Sequence, residues 1–368
     1  MVDRRYFTHF DWGFLILTFL LGLFGLITLY SAVMAGIPTP QKALFMKQLI
    51  WYGIGLVAML MCLLFNYKWL ERWGLAIYAV CVLMLVWVLL FGRFVGGARR
   101  WLNIGPLSLQ PSELVKIAVI IVLARYFAKY VSSRGFSLRG LIVPAVLTLI
   151  PFVLILRQPD LGTAGLLVLI AASMTLFVKI ERRSLLFMVG SGIVMIPPVW
   201  LFVLKDYQRQ RILTLFNPER DPLGTGYHII QSKIAIGSGF LTGKGFLQGT
   251  QNALSFLPEQ HTDFIFSVLA EEWGFLGASI LILTFLVFLF WSFNIAFGCR
   301  EPFGTILAVG ITAMIAWQVI INIGMVMGLM PVVGVPLPFI SYGGSSLLTT
   351  LICVGILMNI SMRRFMFD

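Results

Sequence analysis

The feature that most limits what this chain can fold into is a series of apolar segments, each close to the length that crosses a bilayer. The first, WGFLILTFLLGLFGLITLYSAVMAG, runs from Trp12 to Gly36 without a charged residue. A helix needs about 20 mainly apolar residues to span the hydrocarbon core. Because this segment is that long, we expect it to remain as a span rather than to be a cleaved signal peptide.

Similar segments recur to the end of the chain, so we predict an all-α polytopic membrane protein with about ten transmembrane helices. Of the 368 residues, 59% are hydrophobic and 11% are charged, which is typical of an integral membrane protein. We expect no appended soluble domain, and residues 1–368 are predicted to form a single membrane domain. The further candidate spans are 48–65, 73–92, 111–128, 140–156, 161–178, 184–204, 273–297, 303–332 and 340–362.

The basic residues predict how the chain is oriented. If the N-terminus is cytoplasmic, the inside segments hold groups such as Arg4 with Arg5, Arg182 with Arg183 and Arg363 with Arg364. The outside loops are poorer in Lys and Arg, so the positive-inside rule favours N-in and C-in. The connection 205–262 then becomes a large extracytoplasmic loop between helices 7 and 8. The same distribution explains the net charge of +12 without a nucleic-acid partner.

Cysteine and histidine usage gives no sign of a disulfide or a zinc centre. Cys62, Cys81 and Cys353 lie in apolar spans, and Cys299 falls on the predicted inside, so we expect no disulfide. The histidines are too scattered along the sequence to predict a metal cluster.

Polar residues concentrate in four regions, 93–116, 157–162, 205–262 and 330–346, all predicted on the outer side. Any chemistry is therefore expected there. The loop 205–262 is long enough to roof a cavity. Its stretch GSGFLTGKG lacks the residues of a phosphate loop and is expected to be a glycine turn. A short amphipathic segment with Ile229, Ile230, Ile234 and Ile236 could lie on the membrane surface.

Glu113 and Lys116 form a charged pair at the start of the span that follows Pro111. Their spacing of three places them on one face of a helix. One interpretation is an ion pair that allows Lys116 to lie in the membrane. The other is functional, because charges within a span are candidates for a site, and Trp101 of the adjacent hairpin lies nearby in sequence.

Two aspartates precede apolar helices, and each allows two interpretations. Asp160 in RQPDLGT and Asp263 in HTDFIF could cap the helices that follow. Alternatively, they could be carboxylates of an outward cavity. A cavity with Lys116, Arg209, Arg211 and Asp263 would suit glycosyl transfer from a lipid pyrophosphate, with cations for the leaving phosphate and a carboxylate for the attacking hydroxyl.

Glu271 and Glu272 lie inside the apolar run after Asp263, and we predict a structural role for both. A continuous helix over 263–297 would reach about 50 Å, against about 30 Å of hydrocarbon. The two acids are therefore expected near the outer boundary or facing the bundle, with Trp273 as an interfacial anchor.

The motifs GGARRWLNIGPLSLQPSELVKIA, QPDLGT, DPLGTGYHIIQSKIAIGSG, LPEQHTDFIFSVLAEEWG and VPLPFISYGGSS resemble the SEDS family (shape, elongation, division and sporulation). DYQRQRIL, KGFLQGTQNALSFLPEQHTDF and LMPVVGVPLPFISYGG are similar to its elongation branch rather than its division branch. The resemblance covers nearly the whole chain. It implies a ten-span peptidoglycan glycosyltransferase that polymerises lipid II on the outer face of the bacterial cytoplasmic (inner) membrane. It also implies a class B penicillin-binding protein as transpeptidase partner, with MreC and MreD in the elongation complex.

The resemblance also assigns residues. The family's essential aspartate falls on Asp263, and its acid and lysine pair on Glu113 and Lys116. Trp101 and Asp160 match strongly featured positions. Leu109 is a departure, because some relatives carry a basic residue there, which puts one phosphate contact in doubt.

We therefore expect Asp263 to be the general base on a GlcNAc 4-hydroxyl, with Lys116, Arg209 and Arg211 near the donor pyrophosphate and Glu113 setting the charge state of Lys116. No cofactor follows from the motifs, although a divalent cation, Mg or Mn, is compatible with this chemistry. Two alternatives remain open from the sequence. The chain could be a flippase for a lipid-linked cell-wall precursor, or a non-catalytic scaffold of the elongation complex.

Overall fold

The computed structural model describes residues 10–35, 42–95, 98–104, 107–130, 135–221, 224–254, 256 and 259–363. Arg4, Arg5 and Arg364, used above for the orientation, lie outside these residues. Within them, the chain is a helical bundle with one small sheet, which confirms the helix-rich membrane protein predicted from the sequence.

The first half of the bundle contains seven helices and an antiparallel sheet. The helices are α1 Trp12–Met34, α2 Lys42–Leu64, α3 Lys68–Phe91, α4 Pro111–Lys129, α5 Leu138–Arg157, α6 Leu161–Phe177 and α7 Arg182–Pro198, the last extended by a π-helical turn at Val199–Val203. Between α3 and α4 lie β1 Arg93–Val95, β2 Ala98–Ile104 and β3 Leu107–Leu109, in the order β1-β2-β3. The sequence predicted a hairpin here but no sheet.

The long connection and the last spans complete the fold. The connection folds into α8 Asp206–Phe216, a 3₁₀ turn at Pro218–Arg220, α9 Thr225–Ser238 and α10 Thr250–Ala253. The spans that follow are α11 Ile265–Gly298, α12 Pro302–Val326 and α13 Gly344–Arg363. The predicted spans 303–332 and 340–362 were too long at their facing ends. The chain leaves α12 through Gly328 at φ 69° and then meets Pro331, Pro336 and Pro338, which cannot continue a helix.

Among the described helices, eight are long and apolar enough to cross a membrane, namely α1, α2, α3, α5, α7, α11, α12 and α13. The other two predicted spans are α4 and α6. Helix α6 is apolar with 17 residues, whereas α4 carries Glu113, Lys116 and Arg125. Helix α4 can hold Glu113 and Lys116 because most of its side chains, including these two, are buried among α3, α6, α12 and the other helices around it.

Hydrogen bonds show which helix ends share a side of the bundle. At one end, Gln110 N–H donates to Ser345, and Tyr342 N–H donates to the carbonyl of His261. At the other end, Lys68 pairs with Glu301 at 3.1 Å. The first end also carries the connection between α7 and α11, so we call it the loop end.

Helix α11 is broken at Gly274 (φ 64°, ψ −161°), so the continuous helix considered for 263–297 does not form. A Cβ at this position would lie 2.3 Å from the backbone N of Gly243, which leaves room only for glycine. The break divides α11 into a buried first segment and a second segment with exposed apolar side chains such as Phe275.

Glu271 and Glu272 lie at the end of this buried first segment, and both hold neighbouring chain in place. Glu271 Oε1 accepts from Lys244 Nζ at 2.7 Å and from the N–H of Gln251 at 3.1 Å. The Glu272 carboxylate accepts from the hydroxyl of Ser31 in α1. These contacts support the structural role predicted for both acids.

Helix α9, which contains the four isoleucines noted above, packs against α11 and α12. Ser232 Oγ lies 2.9 Å from Ser267 Oγ and donates to the carbonyl of Val326 at 2.6 Å. Ile229 is buried, and Ile234 is exposed. The segment is therefore part of the protein core on one side, rather than a helix that only rests on the membrane surface.

Candidate active site

A polar cavity of about 370 Å³ opens at the loop end. It is formed by β2, the starts of α4, α6 and α13, the segment before α11 and the segment between α12 and α13. A larger groove of about 560 Å³ between α2, α3, α4 and α13 is almost entirely apolar and has no carboxylate in its wall. The cavity at the loop end is lined by Arg100, Trp101, Gln110, Glu113, Asp160, Thr163, Glu259, Thr262, Asp263, Gly334, Pro336, Tyr342, Gly343, Ser345 and Ser346.

Asp263 lies in this wall just before α11 and does not cap that helix. The N-cap residue is Phe264, and no side chain caps the helix. The carboxylate instead faces Gly334, where a Cβ would come within 3.2 Å of Asp263 Oδ2. The backbone is fixed by Asn322 of α12, whose Nδ2 donates to the carbonyl of Asp263 at 3.0 Å. The capping interpretation is therefore wrong, and Asp263 lines the cavity instead.

The surroundings make Asp263 more basic than an ordinary aspartate. Burial raises its pKa to about 6, and the charges of Glu259 and Asp160 contribute in the same direction. Arg211 acts in the opposite direction. A buried carboxylate beside like charges holds a proton more readily. Asp263 is thus largely ionised at neutral pH but is a stronger base than a free aspartate.

Asp160 satisfies both interpretations that the sequence left open. Its carboxylate caps α6 by accepting from Thr163 N–H at 3.2 Å and from Thr163 Oγ1 at 3.0 Å. It also accepts from Gln110 Nε2 at 3.2 Å and lines the cavity. The cap fixes the position of a second carboxylate in the same cavity as Asp263.

Strand β2 brings Arg100 and Trp101 to the cavity. Arg100 Nε donates to the carbonyl of Gln158 at 2.9 Å, and its Nη2 donates to the carbonyl of Pro159. These bonds attach the strand to the turn before Asp160 and place a guanidinium in the wall. Trp101 was predicted as a site residue. Arg100 was not predicted as a site residue, although the quoted motif GGARRW contains it.

Glu113 and Lys116 form the buried ion pair that their spacing predicts, with Lys116 Nζ 2.8 Å from Glu113 Oε1. Glu113 reaches the cavity wall, whereas Lys116 is only 1% exposed and is not among the lining residues. Lys116 therefore lies behind Glu113, and its charge acts on the cavity through that carboxylate. The sequence had predicted Lys116 as a residue of the cavity wall itself.

Arg209 and Arg211 of α8 are likewise not among the residues that line the cavity. Arg209 Nη2 donates to the carbonyl of Leu201 at 2.8 Å, and its Nη1 lies 3.6 Å from Asp206. Arg211 Nη1 donates to the carbonyl of Val332 at 3.2 Å and is close enough to lower the pKa of Asp263. Arg211 is therefore the nearer of the two to the proposed chemistry.

Sequence reasoning missed Glu259 and the backbone that presents it. Glu259 has a left-handed φ of 53°, which is uncommon for a residue other than glycine. Its carboxylate accepts from Thr262 Oγ1 at 3.1 Å, and its carbonyl accepts from Thr262 N–H at 3.1 Å. The signal was in the motif PEQHTD, where an acid precedes Asp263 by four residues. Backbone strain of this kind is concentrated at functional sites.

Tyr342, Gly343, Ser345 and Ser346 were also not predicted as site residues, although SYGGSS was noted. They come to the cavity because Ser345 Oγ accepts from Gln110 N–H at 2.9 Å and donates to the carbonyl of Ser108 at 3.2 Å. This link joins α13 to the start of α4, and no feature of the local sequence specifies it.

Comparison with known proteins places this geometry in a family. A family model for FtsW, RodA and SpoVE, described as a cell cycle protein, matches residues 11–365. The peptidoglycan glycosyltransferase MrdB of Escherichia coli strain K12 is 43% identical over 354 residues, which cover 95% of this chain and 94% of MrdB. The peptidoglycan glycosyltransferase RodA of Treponema pallidum is 34% identical over 427 residues, covering 96% of this chain and 98% of that protein.

Solved structures agree with this result. A chain from a peptidoglycan synthase complex, studied for the coordination of polymerization and crosslinking, superimposes with a TM-score of 0.82 at 31% identity. The match covers 97% of this chain and 98% of the other. Since the family model, the sequence relatives and the fold all agree over almost the full length, this chain belongs to the FtsW/RodA/SpoVE family, the SEDS proteins.

Proposed function

We propose that this protein is a peptidoglycan glycosyltransferase that polymerises lipid II into glycan strands during cell elongation. Both sequence relatives described above carry the name peptidoglycan glycosyltransferase, and one of them is a RodA protein. The protein is an integral protein of the bacterial inner membrane, with the loop end and its cavity on the outside. The asymmetry of basic residues and the polar cavity at the loop end support this orientation.

The observation that carries the mechanism is Asp263, a carboxylate in the cavity wall with a raised pKa and no helix-capping role. In the proposed step, the 4-hydroxyl oxygen of a GlcNAc residue bonds to C1 of the donor sugar. The bond from C1 to the pyrophosphate oxygen breaks, and its electron pair leaves with the phosphate. Asp263 takes the hydroxyl proton. A single displacement of this kind inverts the configuration at C1 and requires one base.

The leaving pyrophosphate needs positive charge nearby. Arg100 is the guanidinium in the cavity wall, and Arg211 lies close enough to act on Asp263. We assign the donor phosphates to the part of the cavity near Arg100 and Arg211. The ion pair of Glu113 and Lys116 contributes to the charge of the wall. Guanidinium groups suit this role because they pair with phosphate oxygens through two parallel hydrogen bonds.

The cavity could bind a divalent cation, Mg or Mn, only if the phosphates of the substrate supply some of its ligands. Among the described residues, no group of three His, Cys, Asp or Glu side chains could hold an ion alone. Mg is commonly bound by one or two carboxylates together with substrate phosphates. Glu259 supplies carboxylate oxygens of that kind, which leaves Asp263 as the base, and the ion would stabilise charge on the leaving phosphate.

The partner is a class B penicillin-binding protein that crosslinks the strands made here. The similar chain in the peptidoglycan synthase complex supports such a partner. We extend the proposal to MreC and MreD as further members of the elongation complex, and to lipid II as donor and acceptor.

The test is lipid II polymerisation by purified protein together with its class B partner. Asp263→Asn should lower the rate by about 10² to 10⁴-fold, the range expected for loss of a general base. The control is Asp206→Asn, which changes an acid whose side chain is 94% exposed and should leave the rate unchanged. Near-normal glycan from folded Asp263→Asn would contradict the base assignment. Transport of labelled lipid II across vesicles without any glycan would contradict the polymerase.

A further inference from the structure

A turn within the long connection exposes large apolar side chains in an unusual way. Residues 239–247, which we call the aromatic turn, follow α9 and present Phe240 and Leu241 at 83% and 60% exposure. Phe246 and Leu247 follow at 44% and 40%. Phe240 and Leu247 have left-handed φ angles of 45° and 64°, which are rare for large side chains. Strained backbone that directs apolar groups outward indicates a surface with a partner.

The first part of the aromatic turn is joined to α11 where that helix begins to face outward. The N–H of Phe275 donates to the carbonyl of Phe240 at 2.8 Å, and that of Leu276 donates to the carbonyl of Leu241 at 3.0 Å. Phe275 and Leu276 are 66% and 50% exposed, whereas almost every α11 residue before the break at Gly274 is buried.

The length of α11 then shows how deep in the membrane Phe275 and the residues bonded to it lie. From Phe275 to Gly298 the helix has about 24 residues and a length of ~36 Å, slightly more than the ~30 Å hydrocarbon core. Phe275 therefore lies at the boundary between acyl chains and headgroups. Since Phe240 and Leu241 are bonded to the backbone at this level, they lie at the same boundary.

The second part of the aromatic turn reaches the same level on another helix. The ring of Phe246 stacks on Tyr30, with centroids 6.3 Å apart, and Tyr30 contacts Phe45 edge-on at 5.3 Å. Tyr30 is in the last turns of α1, and Phe45 is in the first turn of α2, both at the loop end. Aromatic side chains at helix ends are typical of the membrane interface.

The inner side of the aromatic turn is polar and rigid. Lys244 N–H donates to the carbonyl of Glu271 at 3.0 Å, and Lys244 Nζ lies 2.7 Å from Glu271 Oε1. Gly243 has a φ of 81°, and a Cβ there would lie 2.1 Å from the carbonyl oxygen of Glu272. A segment with polar contacts inward and apolar side chains outward at the boundary level has the character of an interfacial anchor.

We propose that the aromatic turn inserts Phe240, Leu241, Phe246 and Leu247 into the lipid leaflet at the loop end. The ligand is the boundary between headgroups and acyl chains. The anchor is separate from the catalytic cavity and does not depend on the proposed function. It holds the chain that leads from α9 to Asp263 at a fixed height above the membrane.

The test measures membrane depth at single labelled positions. In a background without Cys62, Cys81, Cys299 and Cys353, Phe240→Cys is labelled with bimane and reconstituted into phosphatidylethanolamine and phosphatidylglycerol vesicles. Matched positions are Phe290→Cys, 71% exposed on the apolar second segment of α11, and Asp206→Cys, an exposed acid. Lipids brominated near the headgroup or deep in the acyl chain, and aqueous iodide, serve as quenchers.

The expected result is a shift of the Phe240 label to shorter wavelength and loss of most of its emission to the shallow brominated lipid. The Phe290 label should respond to the deep lipid and the Asp206 label to iodide. Leu241→Cys repeats the measurement at a second position, and thermal melting confirms that each variant is folded. A Phe240 label that behaves like the Asp206 label overturns the proposal. Shielding of Phe240 only after a class B penicillin-binding protein is added also overturns it, since the surface would then bind protein.

Discussion

Asp263 and Glu259 are two carboxylates in one cavity. Their repulsion makes the ionised form of Asp263 less stable, so Asp263 takes up a proton more readily, as the proposed chemistry requires. The raised pKa of Asp263 arises first from burial and then from the charges of Glu259 and Asp160. Glu259 is exposed and hydrogen-bonded to Thr262, so its side chain lies in solvent next to the more buried carboxylate of Asp263. We infer that Glu259 keeps Asp263 basic enough to accept a proton from a sugar hydroxyl.

The pH dependence of polymerisation tests this role. A general base must be unprotonated, so activity should fall as the pH drops through about 6, the pKa of Asp263. Glu259→Gln removes a charge that raises this pKa, and the acid limb of kcat/KM should therefore move to lower pH. Glu259→Asp keeps the charge and should keep the limb in place. An acid limb that does not move in Glu259→Gln would exclude this influence.

Helix α11 shows how one glycine shapes a whole element. The break at Gly274 ends the buried segment and allows the aromatic turn to pack against the helix. A straight helix would drive the backbone of Leu241 and Gly243 away from Glu271 and Glu272. Glu271 and Glu272, which lie inside an apolar run of the sequence, are therefore held where α11 contacts the long connection.

Substitution of Gly274 measures the importance of this joint. Gly274→Ala places a side chain in a left-handed conformation and 2.3 Å from Gly243 N, so we expect a loss of more than about 2 kcal/mol in stability. Gly165→Ala in α6 is the matched control. Its Cβ would meet open space, and the change should stay within about 1 kcal/mol. Thermal unfolding in detergent compares the two, and equal melting temperatures would show that the break is not required.

Helix α4 carries a buried ion pair near its start, where an unpaired charge is costly. Glu113→Gln or Lys116→Met alone should destabilise the protein by about 3 to 5 kcal/mol, because each leaves a buried charge without its partner. The double variant should recover most of that loss. Melting temperatures of the two single variants and the double variant form the cycle. Additive losses would show that the two side chains do not act as a pair.

At the scale of the molecule, the buried helices α4, α12 and α13 hold a rigid cavity at the loop end, while the outer helices face lipid with apolar side chains. The cavity wall is collected from segments that are far apart in sequence, 100–113, 160–163, 259–263 and 334–346. Among the described residues that line the cavity, Arg100 is the only Lys or Arg, whereas Glu113, Asp160, Glu259 and Asp263 are acidic. This excess of carboxylates over basic side chains favours a cation that arrives with the substrate.

Chelation tests whether polymerisation requires a divalent cation. EDTA should lower lipid II polymerisation, and added Mg or Mn should restore it, because the ion is shared with the pyrophosphate. The melting temperature should not change, since the described residues include no cluster that could hold a structural ion. Full polymerisation in EDTA would show that Arg100 and Arg211 suffice for the leaving group.

The sequence by itself determined the class of fold, the positions of the spans and the pairing of Glu113 with Lys116. These depend on apolar length and helical spacing, which are local properties of the chain. The resemblance singled out Asp263 and Asp160, and the polar loops indicated the end of the bundle at which they lie.

Only the tertiary structure decided which side chains share the cavity. It placed Arg100 and Glu259 in the wall, put Lys116 behind Glu113 and kept Arg209 with Leu201 and Asp206. It also revealed the break at Gly274, since a glycine within an apolar run is compatible with a continuous helix until another backbone packs against it. These outcomes depend on contacts between distant segments, and neither the spacing nor the composition of one segment encodes what will lie beside it.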